Sequence, residues 1–203
     1  MKIAVVTDER RGDMGLKLAD KVSADHLSVD SGNLGCLDNH IAAWKWHAAN
    51  PSAWSVVLED DAVPVDDFRE QLASALSVAP TPIVSLYLGT GYISDGRTKA
   101  MLKNADAAGA HWIVTRGTIF HAVALAVRSE LLPSLLEVDR RGPIDQGLSR
   151  WARSHGHAVA YSNGSLVDHS DPPSLVCRYR RPERRAWRFG GNNPWNDITY
   201  PWY

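Results

Sequence analysis

Trp54 to Ala62 reads WSVVLEDDA, and the fold turns on this stretch. Ser55 to Leu58 is a short apolar run after Pro51, the pattern of a strand buried on both faces. Glu59, Asp60 and Asp61 follow with no spacer. Adjacent like charges repel, and carboxylates at a strand end lose hydration. A cation among them relieves both penalties. Ligands of open α/β sheets bind beyond the carboxyl ends of the strands. The triplet therefore marks a candidate divalent-metal or sugar-nucleotide site, with a solvated acidic turn as the alternative.

Working outward, Lys2–Val6 reads as a strand, Leu16–Ser23 as a helix and His26–Val29 as a strand closed by Asp30, Ser31 and Gly32. Leu34, Leu37, Ile41, Trp44 and Ala48 recur at helical spacing, so 34–49 is expected to be an amphipathic helix ended by Pro51. Asp66 or Asp67 is placed to cap a helix reaching Val78. Ile83–Leu88, Trp112–Thr115, Phe120–Val127 and Ala158–Tyr161 read as strands, the third of them as a sheet edge. Ser94–Ala110 reads as a polar, irregular loop with at most a helical turn. Ser129 caps a helix to Val138, and Ile144–His155 is a helix with Pro143 at its start. Strands alternate with helices, which implies an α/β class with a mostly parallel central sheet flanked by helices.

At 203 residues the chain is expected to be one domain of ordinary soluble composition, with 44% hydrophobic and 22% charged residues. No apolar run is long enough for a membrane span, and MKIAVVTDERR meets charge too early for a signal peptide. Cys36 and Cys177 are the only cysteines, so no disulfide framework is implied and a cytoplasmic setting is expected. From Arg178 onward six Arg face Glu183 and Asp197, a net charge of 6 − 2 = +4; the overall charge of −1 leaves −5 for residues 1–177. The expected organisation is a body over 1–170 and an irregular, basic and aromatic extension over 171–203. That extension, anchored by Trp187, Trp195 and Trp202 with its Arg side chains outward, packs on the body or orders on a ligand.

Upstream of the triplet, Gly32 to Trp46 reads GNLGCLDNHIAAWKW. With Gly32, Gly35, Cys36, His40 and Trp44 in frame, and LEDDA after a similar gap, the chain resembles the family 25 glycosyltransferases, the lipopolysaccharide and procollagen sugar transferases. Asn39 stands where that family usually has Ser, and the tail is a second departure. The resemblance spans residues 1–170 and is specific over 32–62. It implies a GT-A fold, a nucleotide-sugar donor (a UDP-sugar in the first instance) and Mn2+ or Mg2+. By the same resemblance, Asp61 is the direct metal ligand, with Glu59 and Asp60 toward the nucleotide and the metal's waters.

A metal at that position stabilises the negative charge that builds on a departing diphosphate. An inverting transfer also needs a general base for the acceptor hydroxyl. Asp145, in GPIDQGL, is the candidate, against a purely helix-terminal role. His169, between Asp168 and Asp171, is a further candidate metal ligand, and Glu59 another. Thr7, Asp8 and Arg11 (with Arg10) follow the first strand, where nucleotides bind, and Gly89 to Tyr92 are placed to shape a sugar pocket. His40 shares a helix face with Trp44 and His47. Packing accounts for that spacing, and only the resemblance puts His40 at the donor site. His121 reads as a core histidine. The acceptor is left open among a glycan, a protein side chain and a modified nucleic-acid base, the last because Arg interleaved with aromatics suits phosphate and base stacking. The competing classes are a metal-dependent nuclease or phosphohydrolase, and a catalytically silent nucleotide-sugar-binding protein.

Overall fold

A computed structural model describes residues 1–90, 96–170 and 184–202. The central sheet has eight strands: β1 (Lys2–Asp8), β2 (His26–Asp30), β3 (Trp54–Glu59), β5 (Ile83–Ser85), β6 (Trp112–Thr115), β7 (Ala124–Arg128), β8 (Val159–Ser162) and β10 (Thr199–Trp202). Their order is β10-β6-β8-β5-β7-β3-β1-β2. Four of the seven neighbouring pairs are parallel; β7 runs antiparallel to both β3 and β5, and β6 antiparallel to β8. A two-stranded ribbon, β4 (Ala62–Pro64) with β9 (Val167–His169), stands beside it.

The period of two along each strand sorts side chains into two cores. Ala4 and Val6 of β1 and Val57 of β3 face one, with Ile41 and Trp44 of α2 (Gly35–Ala49), Leu102 of α4 (Gly96–Ala107), Leu132 and Leu135 of α5 (Leu132–Leu135), and Leu148 and Trp151 of α6 (Ile144–Ser154). Ile3, Val5, Val56 and Leu58 face the other, with Leu18 of α1 (Gly12–Lys21) and Phe68 and Leu72 of α3 (Phe68–Ser77). Helices on both faces explain why Val56, Val57 and Leu58 are apolar without alternation.

Several expectations are corrected. Residues 96–107 form a helix, α4, fixed by burial of Leu102 and Ala105 rather than by a strong apolar stripe. The strand expected from Phe120 starts only at Ala124, and β7 is central rather than an edge, because its antiparallel insertion buries it on both sides. Asp67 stands at the N-cap before α3 with φ +53 but makes no side-chain capping bond. The segment after Ser129 is a short 3-10 turn followed by the four residues of α5. Leu34 is 45% exposed and Ala48 is exposed, so the buried face of α2 is rotated towards His40, Ala43, Trp44 and His47. His121 lies outside any strand, partly exposed, with its ring edge-on to Tyr87. The described part of the tail adds β10 to the sheet edge beside β6, a position that tolerates Pro201. Trp195 is buried on Trp112, and Trp202 packs on Phe120.

His47 ties α2 to β3 by donating from Nε2 to the Val56 carbonyl at 3.0 Å. Burial holds its pKa down to about 4, so it is neutral in the folded chain. Unfolding below its ordinary value of 6.5 takes up a proton. Its contribution is therefore complete above pH 6.5 and declines as pH falls towards 4. At ~1.4 kcal/mol per unit the loss approaches about 3 kcal/mol. Urea titrations of wild type and His47→Gln between pH 7.5 and 4.5 check this. The variant is expected to lose less stability on acidification, and equal slopes would refute the assignment.

Candidate active site

The triplet divides three ways at the carboxyl end of β3. Glu59 points to α2, where its Oε1 lies 3.1 Å from His40 Nε2. Asp60 turns to β1 and accepts from Thr7 Oγ1 at 2.8 Å. Asp61 turns to the ribbon, its Oδ2 lying 3.3 Å from His169 Nε2. The β4–β9 pairing causes that meeting. Ala62 is in register with His169, so the residue before Ala62 lies beside the imidazole. Ser170 locks the junction through backbone and hydroxyl bonds to the Asp61 carbonyl.

Arg11 closes the acidic pair from the opposite side, with Nη1 3.3 Å from Asp60 Oδ1 and 3.5 Å from Asp61 Oδ2. Burial raises the Asp60 pKa, and the charge of Asp61 adds to the rise. Burial also pushes Asp61 up, but the hydrogen bond and charge from His169, with Arg11 and Arg184, outweigh it and hold Asp61 below the usual carboxylate value. Asp61 Oδ1 is buried with no hydrogen-bond partner among the described residues. A buried carboxylate oxygen left open is costly unless something external satisfies it. A His nitrogen and a carboxylate oxygen suit Mn2+ better than Mg2+, so these residues fit the metal that the motif implies.

Local sequence explains the rest of the cleft. Gly15 lets α1 approach β1, since a Cβ there would lie 2.6 Å from Thr7 Cβ; Thr7 is thereby held at Asp60. Gly32 and Gly35 take φ of +90 and +75, which lets the chain curl over Asp30. The Asp30 carboxylate then accepts the backbone N–H groups of Gly32, Asn33, Leu34 and Gly35 and organises the start of α2, a capping role not anticipated from sequence. Asn39 is buried and fully used. Its Oδ1 accepts from Ser28, and its Nδ2 donates to the carbonyls of Thr7 and Ser28, joining α2 to β1 and β2. Ser is too short to reach both strands, which is the physical content of this departure from the motif.

Thr7, Asp8, Arg10, Arg11, Asp30, Cys36, His40, Glu59, Asp60 and Asp61 line one cleft of about 360 Å3. That is within the range of small-molecule sites, roughly 300–1,000 Å3. Arg184 lines it too, so the tail brings a cation inward where an outward Arg had been expected. Asp8 is committed to Arg10 by a two-pronged ion pair, which holds its pKa low. Asp145 is half-buried on the first turn of α6, near enough to Glu59 and His40 for their charges to act on it. Burial raises its pKa, and Glu59 raises it further. Gly89 is not in the cleft wall; it bridges to Ala186 where the tail crosses, and a Cβ there would strike Tyr87. Gly91, Tyr92, Ser94, Asp95, Cys177, Arg178 and Glu183 lie outside the described residues.

No family model matches the chain, and no curated protein matches it. A solved structure of a Drosophila β1,4-galactosyltransferase 7 mutant, in complex with manganese, UDP-Gal and xylobiose, aligns over 90% of this chain and 82% of its own, at 10% identity and a TM-score of 0.50. The fold is GT-A-like. A protein from STIV also aligns, over 90% of this chain and 100% of its own (13% identity, TM-score 0.49). So does a glycosyltransferase involved in the glycosylation of the major capsid of PBCV-1, over 70% and 68% (8% identity, TM-score 0.35). The likeness extends to the fold, and no family model supports family 25 in particular. Among the described residues no helix is long and apolar enough to cross a membrane.

Proposed function

We propose that this chain is a metal-dependent, inverting glycosyltransferase that moves a sugar from a nucleotide diphosphate, in the first instance a UDP-sugar, to an acceptor hydroxyl. The observation that carries this reading is the meeting of Asp61, in the turn between β3 and β4, with His169 of β9, with Asp61 Oδ1 buried and open. The GT-A-like fold supports it, as does the manganese and UDP-Gal complex of the Drosophila neighbour.

Asp61 and His169 hold the cation. When bound, the cation supplies positive charge to the departing diphosphate. Arg11 and Arg184, both in the lining of the cleft, offer guanidinium forks to phosphate oxygens. Asp60, fixed by Thr7, and Glu59, fixed by His40, present carboxylates on the nucleotide side. Asp145 takes the acceptor proton.

Thermal-shift measurements with UDP-glucose and UDP-galactose, with Mn2+ or with EDTA, test the reading. Ligand at about 100 times its Kd adds about 2.7 kcal/mol, so a rise of several degrees is expected with a UDP-sugar and Mn2+ together. No shift with any nucleotide sugar, or DNA cleavage without UDP release, would overturn it. A shift without UDP release to any acceptor would identify a silent binding protein.

A further inference from the structure

We propose that Cys36, His40 and Glu59 form a second cation site, for a soft divalent ion such as Zn2+, in the wall of the cleft and separate from Asp61 and His169. Donor atoms of the three residues lie within 4.8 Å of one another. Cys36 and His40 are four residues apart on α2, hence on one helix face. Glu59 reaches the same face from the end of β3, turned away from Asp61.

His40 is the centre of the group. Its side chain is 1% exposed, its Nε2 lies 3.1 Å from Glu59 Oε1, and Cys36 stands within reach of the ring. An ion between Nε2 and Glu59 takes the place of the proton the two share, and the Cys36 thiolate completes the donor set. Cys36 is a free, exposed thiol, and all three residues line the cleft, so an ion enters without unfolding the helix.

The donor set decides the class of ion. Thiolate, imidazole and carboxylate together suit Zn2+ and not Mg2+ or Ca2+. Ligand atoms on a tetrahedral zinc lie roughly 3.3 to 3.6 Å apart. Rotation of the exposed Cys36 side chain closes the remaining gap. Three protein ligands leave a fourth position facing the cleft, the arrangement of an open rather than a sealed zinc site. The site needs neither donor nor turnover, so it stands or falls apart from the transferase reading.

Co2+ titration of the full chain tests it, because a cobalt–thiolate bond gives a near-ultraviolet charge-transfer band. Wild type is expected to show a band saturating at one ion and displaced by Zn2+. Cys36→Ser is expected to abolish the band and to weaken Zn2+ binding by more than the roughly 10–100-fold that loss of a supporting residue costs. Because Cys36 is exposed, the metal-free melt of this variant is expected to match wild type. Cys177→Ser and Asp61→Asn are expected to keep the band. Absence of the band in wild type, its survival in Cys36→Ser, or its loss in either control would overturn the proposal.

Discussion

Asp61→Asn is expected to lower Mn2+-dependent UDP release from a UDP-sugar by on the order of 10^3-fold, about 4 kcal/mol of transition-state stabilisation. Asn preserves shape and removes the charge, so the loss reports charge rather than volume. In wild type the His169 contact, with Arg11 and Arg184, keeps Asp61 ionised despite burial. A cation therefore finds a carboxylate at neutral pH without displacing a proton from it. Removing that charge leaves His169 and Arg11 facing a neutral amide, so a melting curve must accompany the assay. His169→Ala is expected to cost less, about 10^2-fold, since the anionic ligand remains. Wild-type rates in Asp61→Asn, or rates unaffected by EDTA, would remove the metal from the mechanism.

The parts of this molecule legible in the sequence are those set by local periodicity. Apart from Ser55, WSVVL is apolar because helices cover both faces of β3, and such a run can be recognised without knowing its neighbours. The turn at Asp30, Ser31 and Gly32 was equally readable, but not that the Asp30 carboxylate reaches on to Gly35 and organises the start of α2. Central placement of β7 was not. It depends on antiparallel insertion between β3 and β5, a long-range choice that leaves no trace in AVALAVR. The three-residue strands β4 and β9 are too short for any period to show, yet they bring His169 to Asp61. His169 was found as a residue type beside carboxylates; its partner was found only by the pairing. Arg184 was hidden for a related reason. Composition marks the tail as basic; that Arg184 lines the cleft, two residues before Ala186 bridges to Gly89, is a matter of tertiary placement.

Asp145→Asn carries the second large effect and separates two roles for one residue. Asp145 occupies the first turn of α6 and accepts from the Gln146 N–H, as a helix-terminal carboxylate does. If it served only the helix, Asn would be nearly equivalent, since Asn and Asp cap comparably. As a general base it has no such substitute. Loss of proton transfer is expected to lower sugar transfer by about 10^2- to 10^4-fold, while the UDP-sugar and Mn2+ thermal shift stays intact. The pH profile gives an independent reading. Burial and then the charge of Glu59 raise the Asp145 pKa above its ordinary 3.8, with His40 and the Gln146 bond opposing. A base works deprotonated, so wild-type transfer is expected to fall as pH drops through a value above 3.8. That acid limb is expected to vanish from the residual activity of Asp145→Asn. Activity within a few-fold of wild type, with the limb retained, would assign Asp145 to the helix and give the base to another residue.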